Sequence, residues 1–283
     1  MVNILHIADV QEKLQKVEEM VHQLLSDVIF TAPAGLPGRD IQVLPPHKHP
    51  HKKGFTLVEG RARFMHDLAN IELQALELAI RTLVEFPHAP KLFREQLADV
   101  ALSEARHLQA CLKQLSVSGF NWGHWPIHAA LWNSVSADDD LLDRIFIVHR
   151  YLEGSGLDAG DTLLRRLRGM SETNEQKVMQ MIHDEEVGHV AFGSEWYRRI
   201  CADLKLDPDH KMKEQIGRLR TVLPKRLDKI SVETRKKAGF TENEIVMLDN
   251  LRLSFLEQSK GPGPLHPVQH SATDRAEEIP VLN

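Results

Sequence analysis

Two stretches of this chain repeat one arrangement of acid and histidine. Glu72 is followed by Glu104-Ala-Arg-His107, and Glu153 is followed by Glu186-Val-Gly-His189. The first interval is 104 − 72 = 32 residues and the second is 186 − 153 = 33. In a helix, positions i and i+3 share a face, so each Glu-x-x-His aims a carboxylate and an imidazole at one point. Four carboxylates and two imidazoles projecting inward from four facing helices make the ligand set of a two-metal carboxylate site. The motif therefore demands an all-α fold before any other residue is read.

The helices it needs are legible in the apolar periodicity. From Val58 to Phe86, Phe64, Leu68, Ile71, Ala75, Leu76, Ala79, Ile80 and Leu83 build a wide stripe that Pro87 and Pro90 end. A second helix is expected from Lys91 to Leu115, a third from Asp138 to Arg168 behind an acidic start, and a fourth from Thr173 to Asp203 after a turn around Gly169. Between the second and third, residues 116–137 hold Trp122, Trp125 and Trp132, three of the four tryptophans, which marks an ordered crossover. Two helix pairs with short links and one long crossover give a four-helix bundle. Residues 3–29 read as a further amphipathic helix, and Thr31–Thr56 as an extended, breaker-rich connection. Beyond Pro208, helices are expected at 209–230 and 241–258, the latter announced by the capping-box pattern Thr241-Glu-Asn-Glu244. The expected organisation is an N-terminal helix and Pro/His-rich segment (1–57), a metal-binding bundle (58–205), a helical extension (206–260) and a flexible tail (261–283).

All four glutamates fall on the apolar stripes of their helices, and a bare carboxylate buried there costs several kcal/mol unless compensated. Two divalent cations compensate four carboxylates most simply. The competing reading pairs them with Arg106, Arg150 or His149 and needs no metal. Glu77, about 140° around the helix from Glu72, and Glu185, one residue off the stripe, are set aside as ligands. His149, Asp158, Asp99 and Asp184 are candidates to orient the ligands from behind. The glycines Gly154, Gly156 and Gly160 weaken a helix interior, so they either permit a local widening beside Glu153, or allow close packing or mark an early end to this helix. Tyr197 reads as a core residue, and His47-Lys-His-Pro-His51 as a solvated basic loop.

Charge and cysteine content narrow the setting. A net charge of −5 gives no general attraction to nucleic acid or anionic membranes, although residues 205–237 carry eleven Lys and Arg against five Asp and Glu. The two cysteines, Cys111 and Cys201, make neither a thiolate site nor a disulfide scaffold and suit a cytoplasmic protein. Neither a signal peptide nor a membrane-spanning run is expected.

Several runs resemble an uncharacterised bacterial family of ferritin-like proteins: Glu59-Gly-Arg-Ala-Arg-Phe, Ile71-Glu72-Leu-Gln-Ala, Ser103-Glu104-Ala-Arg-His107, Trp125-Pro-Ile-His, Glu153-Gly-Ser-Gly-Leu-Asp158 and Asp184-Glu-Glu-Val-Gly-His189-Val-Ala-Phe-Gly193. The likeness spans residues 30–205, and Gly154 stands where that family pattern has arginine. The family is in turn similar to the di-iron tRNA hydroxylase that acts on methylthio-isopentenyl adenosine. The resemblance implies a ferritin-like bundle with Glu72, Glu104, His107, Glu153, Glu186 and His189 as ligands of two iron ions, manganese being acceptable to the same donors. It implies an oxidoreductase that uses dioxygen to oxidise a small-molecule or nucleoside-type substrate, as a monomer or homodimer. The alternatives are iron storage or detoxification, a tRNA-modifying hydroxylase, and a metal-free interaction bundle.

Overall fold

The computed structural model describes residues 2–168 and 173–259, so the turn expected at Gly169 and the tail beyond 261 lie outside the described residues. The chain is helical throughout: α1 (Val10–Leu25), α2 (Val58–Glu85), α3 (Lys91–Val117), α4 (Leu141–Ile145), α5 (Gly154–Leu167), α6 (Asn174–Asp203), α7 (Pro208–Leu219), α8 (Val232–Lys237) and α9 (Glu242–Ser259). Between α4 and α5 runs a π-helical stretch, Phe146–Glu153, and the three segments continue one another without a break in right-handed geometry. Among the described residues there is no strand; Val43 and Ile127 form an isolated bridge.

α2 and α3 form an antiparallel hairpin, because Pro90 cannot continue a helix and instead caps the start of α3. The α4–π–α5 rod packs on α6, and α3 joins the two pairs by packing on α6. Thr173 and Gln176 start α6 with a reciprocal capping box, and Thr241 and Glu244 do the same for α9. Gln74 fixes the crossover at mid-height. Its amide donates to His128 O at 2.9 Å, and its carbonyl accepts from Leu131 N and Trp132 N. The N-terminal segment is tied to the same crossover through Leu44 N to Ile127 O at 2.8 Å and Trp132 Nε1 to Gly35 O at 3.1 Å.

α1 buries Val17, Met20, Val21 and Leu24 against α2 and α3. It also delivers Lys13 to Glu77, which Arg39 grips from the other side, and all three side chains are buried. In the breaker-rich segment, His49 Nε2 lies 3.0 Å from Leu44 O and Nδ1 lies 3.0 Å from Arg63 Nη2. With both nitrogens engaged, His49 serves the loop's structure.

The helix expected over 209–230 ends at Leu219, since Pro224 has no amide to donate and disfavours helix in the residue before it. The six-residue α8 was not expected. Four of the eleven basic residues in this stretch pair with carboxylates: Lys211 with Glu214, Arg218 with Asp143, Arg235 with Asp158 and Lys236 with Glu242. Among the described residues, no helix is long and apolar enough to cross a membrane.

Candidate metal centre

α3 contributes Glu104 and His107 and α6 contributes Glu186 and His189, each pair one helical turn apart and facing the other helix. Ligand-capable atoms of these four residues all lie within 4.8 Å of one another. His189 Nδ1 is 2.9 Å from Glu104 Oε1 and 3.2 Å from Glu186 Oε1. His107 Nδ1 is 3.3 Å from Glu186 Oε1 and 3.3 Å from Glu72 Oε2, which brings α2 into the group. Glu72, Glu104, His107 and His189 are buried, and the Glu186 side chain keeps 15% of its surface. The charged partners closest to these carboxylates are imidazoles.

Proximity here is not hydrogen bonding. Both oxygens of Glu104, His107 Nδ1 and His189 Nδ1 are buried without a hydrogen-bond partner. Such atoms normally find one, because leaving them bare costs the full desolvation penalty. Glu104, His107, Glu186 and His189 thus form a group that could hold a metal ion.

The fourth glutamate sits beside this group. Glu153 ends the π-helical stretch, and its Oε2 lies 2.9 Å from His149 Nδ1. Glu186 and Glu104 act on it electrostatically. Burial raises its pKa, and His149 counters. Thus the structure gathers Glu72, Glu104, His107, Glu186 and His189 at contact distance and sets Glu153 next to them with His149. The widening expected beside Glu153 is present as the π stretch, and close packing is present too. A side chain at Gly154 would run into Arg235, one at Gly160 into His183, and one at Gly193 into His149.

The electrostatics follow from that crowding. Burial, reinforced by Glu104 and Glu186, lifts Glu72 well above the usual carboxylate range. Burial also opposes the charge on Glu104, but His189 and His107 outweigh it and hold Glu104 below its ordinary value. Burial works against protonated His189, yet Glu104 and Glu186 push its pKa up to about 11. His107 is likewise raised against its burial by Glu104, Glu186 and Glu72. Without a cation, protons on the two imidazoles and on Glu72 offset the negative charge.

Of the four residues named as candidates to orient the ligands, His149 is the one that contacts a glutamate of the group. Asp158 is neutralised by Arg235 and accepts from Ser231 N; Asp184 points outward to Gln180; Asp99 is exposed. On helices, each is two or five residues from a site glutamate, which turns it well off the inner face. The carboxylate that reaches the far nitrogen of His107 is Glu185. Its Oε2 lies 3.1 Å from His107 Nε2 and accepts from Ser103 Oγ at 3.2 Å. Spacing along α6 placed Glu185 off the stripe, and only the approach of α3 reveals its partner. Arg106 is exposed, and Arg150 pairs with Glu244 at 2.7 Å, so neither guanidinium serves the site. Tyr197 is a buried core residue that donates to Gln215 Oε1 at 2.6 Å.

A family model described as "Protein of unknown function (DUF455)" matches residues 6–246. An uncharacterized protein of Haemophilus influenzae is 28% identical over 259 residues, covering 85% of this chain and 89% of that one. No solved structure matches the chain.

Proposed function

The chain belongs to the DUF455 family, and we propose that it is a ferritin-like dinuclear carboxylate protein acting as an oxygen-dependent oxidase or hydroxylase. The observation that carries the reading is the set of unpartnered, buried, convergent atoms on Glu104, His107 and His189. The donor set fits the group. Carboxylates and imidazoles accept iron or manganese, and Glu72, Glu104, His107, Glu153, Glu186 and His189 would hold two such ions. When bound, a reduced di-iron pair supplies activation of dioxygen for oxidation of an organic substrate.

The chain's own residues do the rest. Glu185 accepts from His107 Nε2–H, which fixes the tautomer and leaves Nδ1 free for coordination. His149 holds the Glu153 carboxylate in place from one helical turn away. Glu72 and the two imidazoles give up protons as a cation arrives. Leu68, Val100, Leu108, Ile182 and Val190 exclude water from the buried side. On the other side, half-exposed Glu185 and partly exposed Glu186 leave an approach from solvent.

The test is elemental analysis of the purified protein, followed by anaerobic loading with ferrous iron and optical spectroscopy on admitting oxygen. Two iron ions per chain and a di-ferric absorption band are expected. A protein that takes up neither iron nor manganese would overturn the proposal.

A further inference from the structure

The glutamate at the end of the π stretch is held from behind by residues that belong to no ligand motif. Arg235 of α8 is 2% exposed and donates to three oxygens of two residues at once. Its Nη2 and Nε donate to Asp158 Oδ2 and Oδ1 at 2.6 and 3.3 Å, and its Nη1 donates to the backbone carbonyl of Arg150 at 3.0 Å. The guanidinium occupies the space that a side chain at residue 154 would fill, so Gly154 is required by Arg235. A second contact comes from α9. Fully buried Glu244 pairs with Arg150 at 2.7 Å, and the Arg150 guanidinium lies against the rings of Tyr197 and Phe240.

Both contacts act on the same eight residues. Where a helix passes from π to α register, its carbonyls lose regular donors, and a buried carbonyl without one is costly. Arg235 supplies such a donor three residues before Glu153 while anchoring Asp158 five residues after it. Glu244 fixes the side chain of Arg150 itself. The face of the π stretch turned to α8 and α9 is thereby pinned, and His149 and Glu153 are carried on another face toward Glu104 and Glu186.

We propose that Arg235, seated against Gly154, is a positioning residue that keeps the Phe146–Glu153 segment π-helical and so sets the location of the Glu153 carboxylate. This rests on the reading of Glu153 as a ligand for the second ion. It assigns a function in the site to the helical extension, which carries no ligand of its own.

The experiment uses the full chain with Arg235→Met, and with Arg235→Met combined with Asp158→Asn. The single variant leaves Asp158 buried without its cation; the double variant removes that charge, so that it lacks the donor to Arg150 O and the guanidinium contact with the Phe240 ring. Amide hydrogen exchange on metal-free protein reads the segment directly, and iron content reads the site. In both variants, exchange at residues 150–155 is expected to quicken roughly tenfold, the effect of losing one charge-assisted hydrogen bond. Iron should fall from two per chain toward one, with overall helicity retained. Wild-type exchange and iron content in the double variant would overturn the proposal, since Arg235 would then serve only to neutralise Asp158. Unchanged exchange in both variants would overturn it as well. If wild-type protein binds no iron, the ligand assignment fails, while the exchange result still decides whether Arg235 holds the π segment.

Discussion

His189 Nδ1 stands 2.9 Å from Glu104 Oε1, yet neither atom has a hydrogen-bond partner. The pair is close because both belong to one convergent set, and that geometry ranks the residues around it. Glu104→Gln keeps the shape and removes the charge, so metal binding should weaken at least about tenfold and helicity should persist. Glu185→Gln retains an acceptor for His107 but loses its charge, and should weaken binding by less than Glu104→Gln. Titration of both variants with ferrous iron, followed by circular dichroism, checks the order; a reversed ranking would contradict the assignment.

Metal uptake should release protons. His189 titrates near 11 and His107 is also raised, so both imidazoles are protonated at neutral pH until a cation displaces the protons. Affinity therefore climbs as pH rises toward those values. The same shifts stabilise the metal-free fold fully below the ordinary histidine value near 6.5, and that contribution fades as pH rises through about 11. Calorimetric titrations in buffers of different ionisation enthalpy count the protons, and a count of zero would contradict the arrangement.

Two glycines on α6 should respond in opposite directions. An added methyl at Gly193 meets His149, so Gly193→Ala is expected to cost about 1–3 kcal/mol and to lower iron content by moving His149 off Glu153. An added methyl at Gly188 meets nothing within 4 Å, so Gly188→Ala should gain up to about 1 kcal/mol from helix propensity alone. Urea denaturation of the two variants provides the comparison.

Glu77 is buried between two cations. Glu77→Gln leaves Lys13 and Arg39 without their shared counter-charge, and unfolding free energy should drop by about 3–5 kcal/mol. A loss below about 1 kcal/mol would show that the two cations find other compensation.

Acid should act through His66, whose pKa is lowered to about 4 by burial against Trp122 and Trp125. The unfolded chain takes up this proton near 6.5 and the folded one only near 4, so stability is complete above 6.5 and declines as pH falls between the two. At pH 5 the deficit from this group is about 2 kcal/mol. His66→Gln should flatten that part of the pH–stability curve measured by urea titration.

Sequence periodicity located α2, α3 and α6 to within a few residues, because Pro87, Pro90 and the Thr173 cap act locally on the backbone. The repeated Glu-x-x-His was legible for the same reason: one turn of helix fixes its geometry. What lay hidden depends on contacts between helices. Glu185 reads as a surface residue until α3 brings His107 Nε2 to it. Asp158 reads as a candidate partner for the site until α8 supplies Arg235. The π stretch left only indirect traces in Gly154, Gly156 and Gly160, since its register reflects buried partners on α8 and α9. The end of α7 before Pro224 belongs to the legible part, since a proline limits a helix locally.

The distance along the chain between the π stretch and its partners sets an order of events during synthesis. Asp158 precedes Arg235 by 77 residues, and Arg150 precedes Glu244 by 244 − 150 = 94. At ribosomal speed that is a wait on the order of 10 s. Through that interval α6 is added, but the helix bearing Glu153 still lacks its buried partners Arg235 and Glu244. The segment that carries Glu153 therefore gains its last buried partners only once the C-terminal extension has emerged.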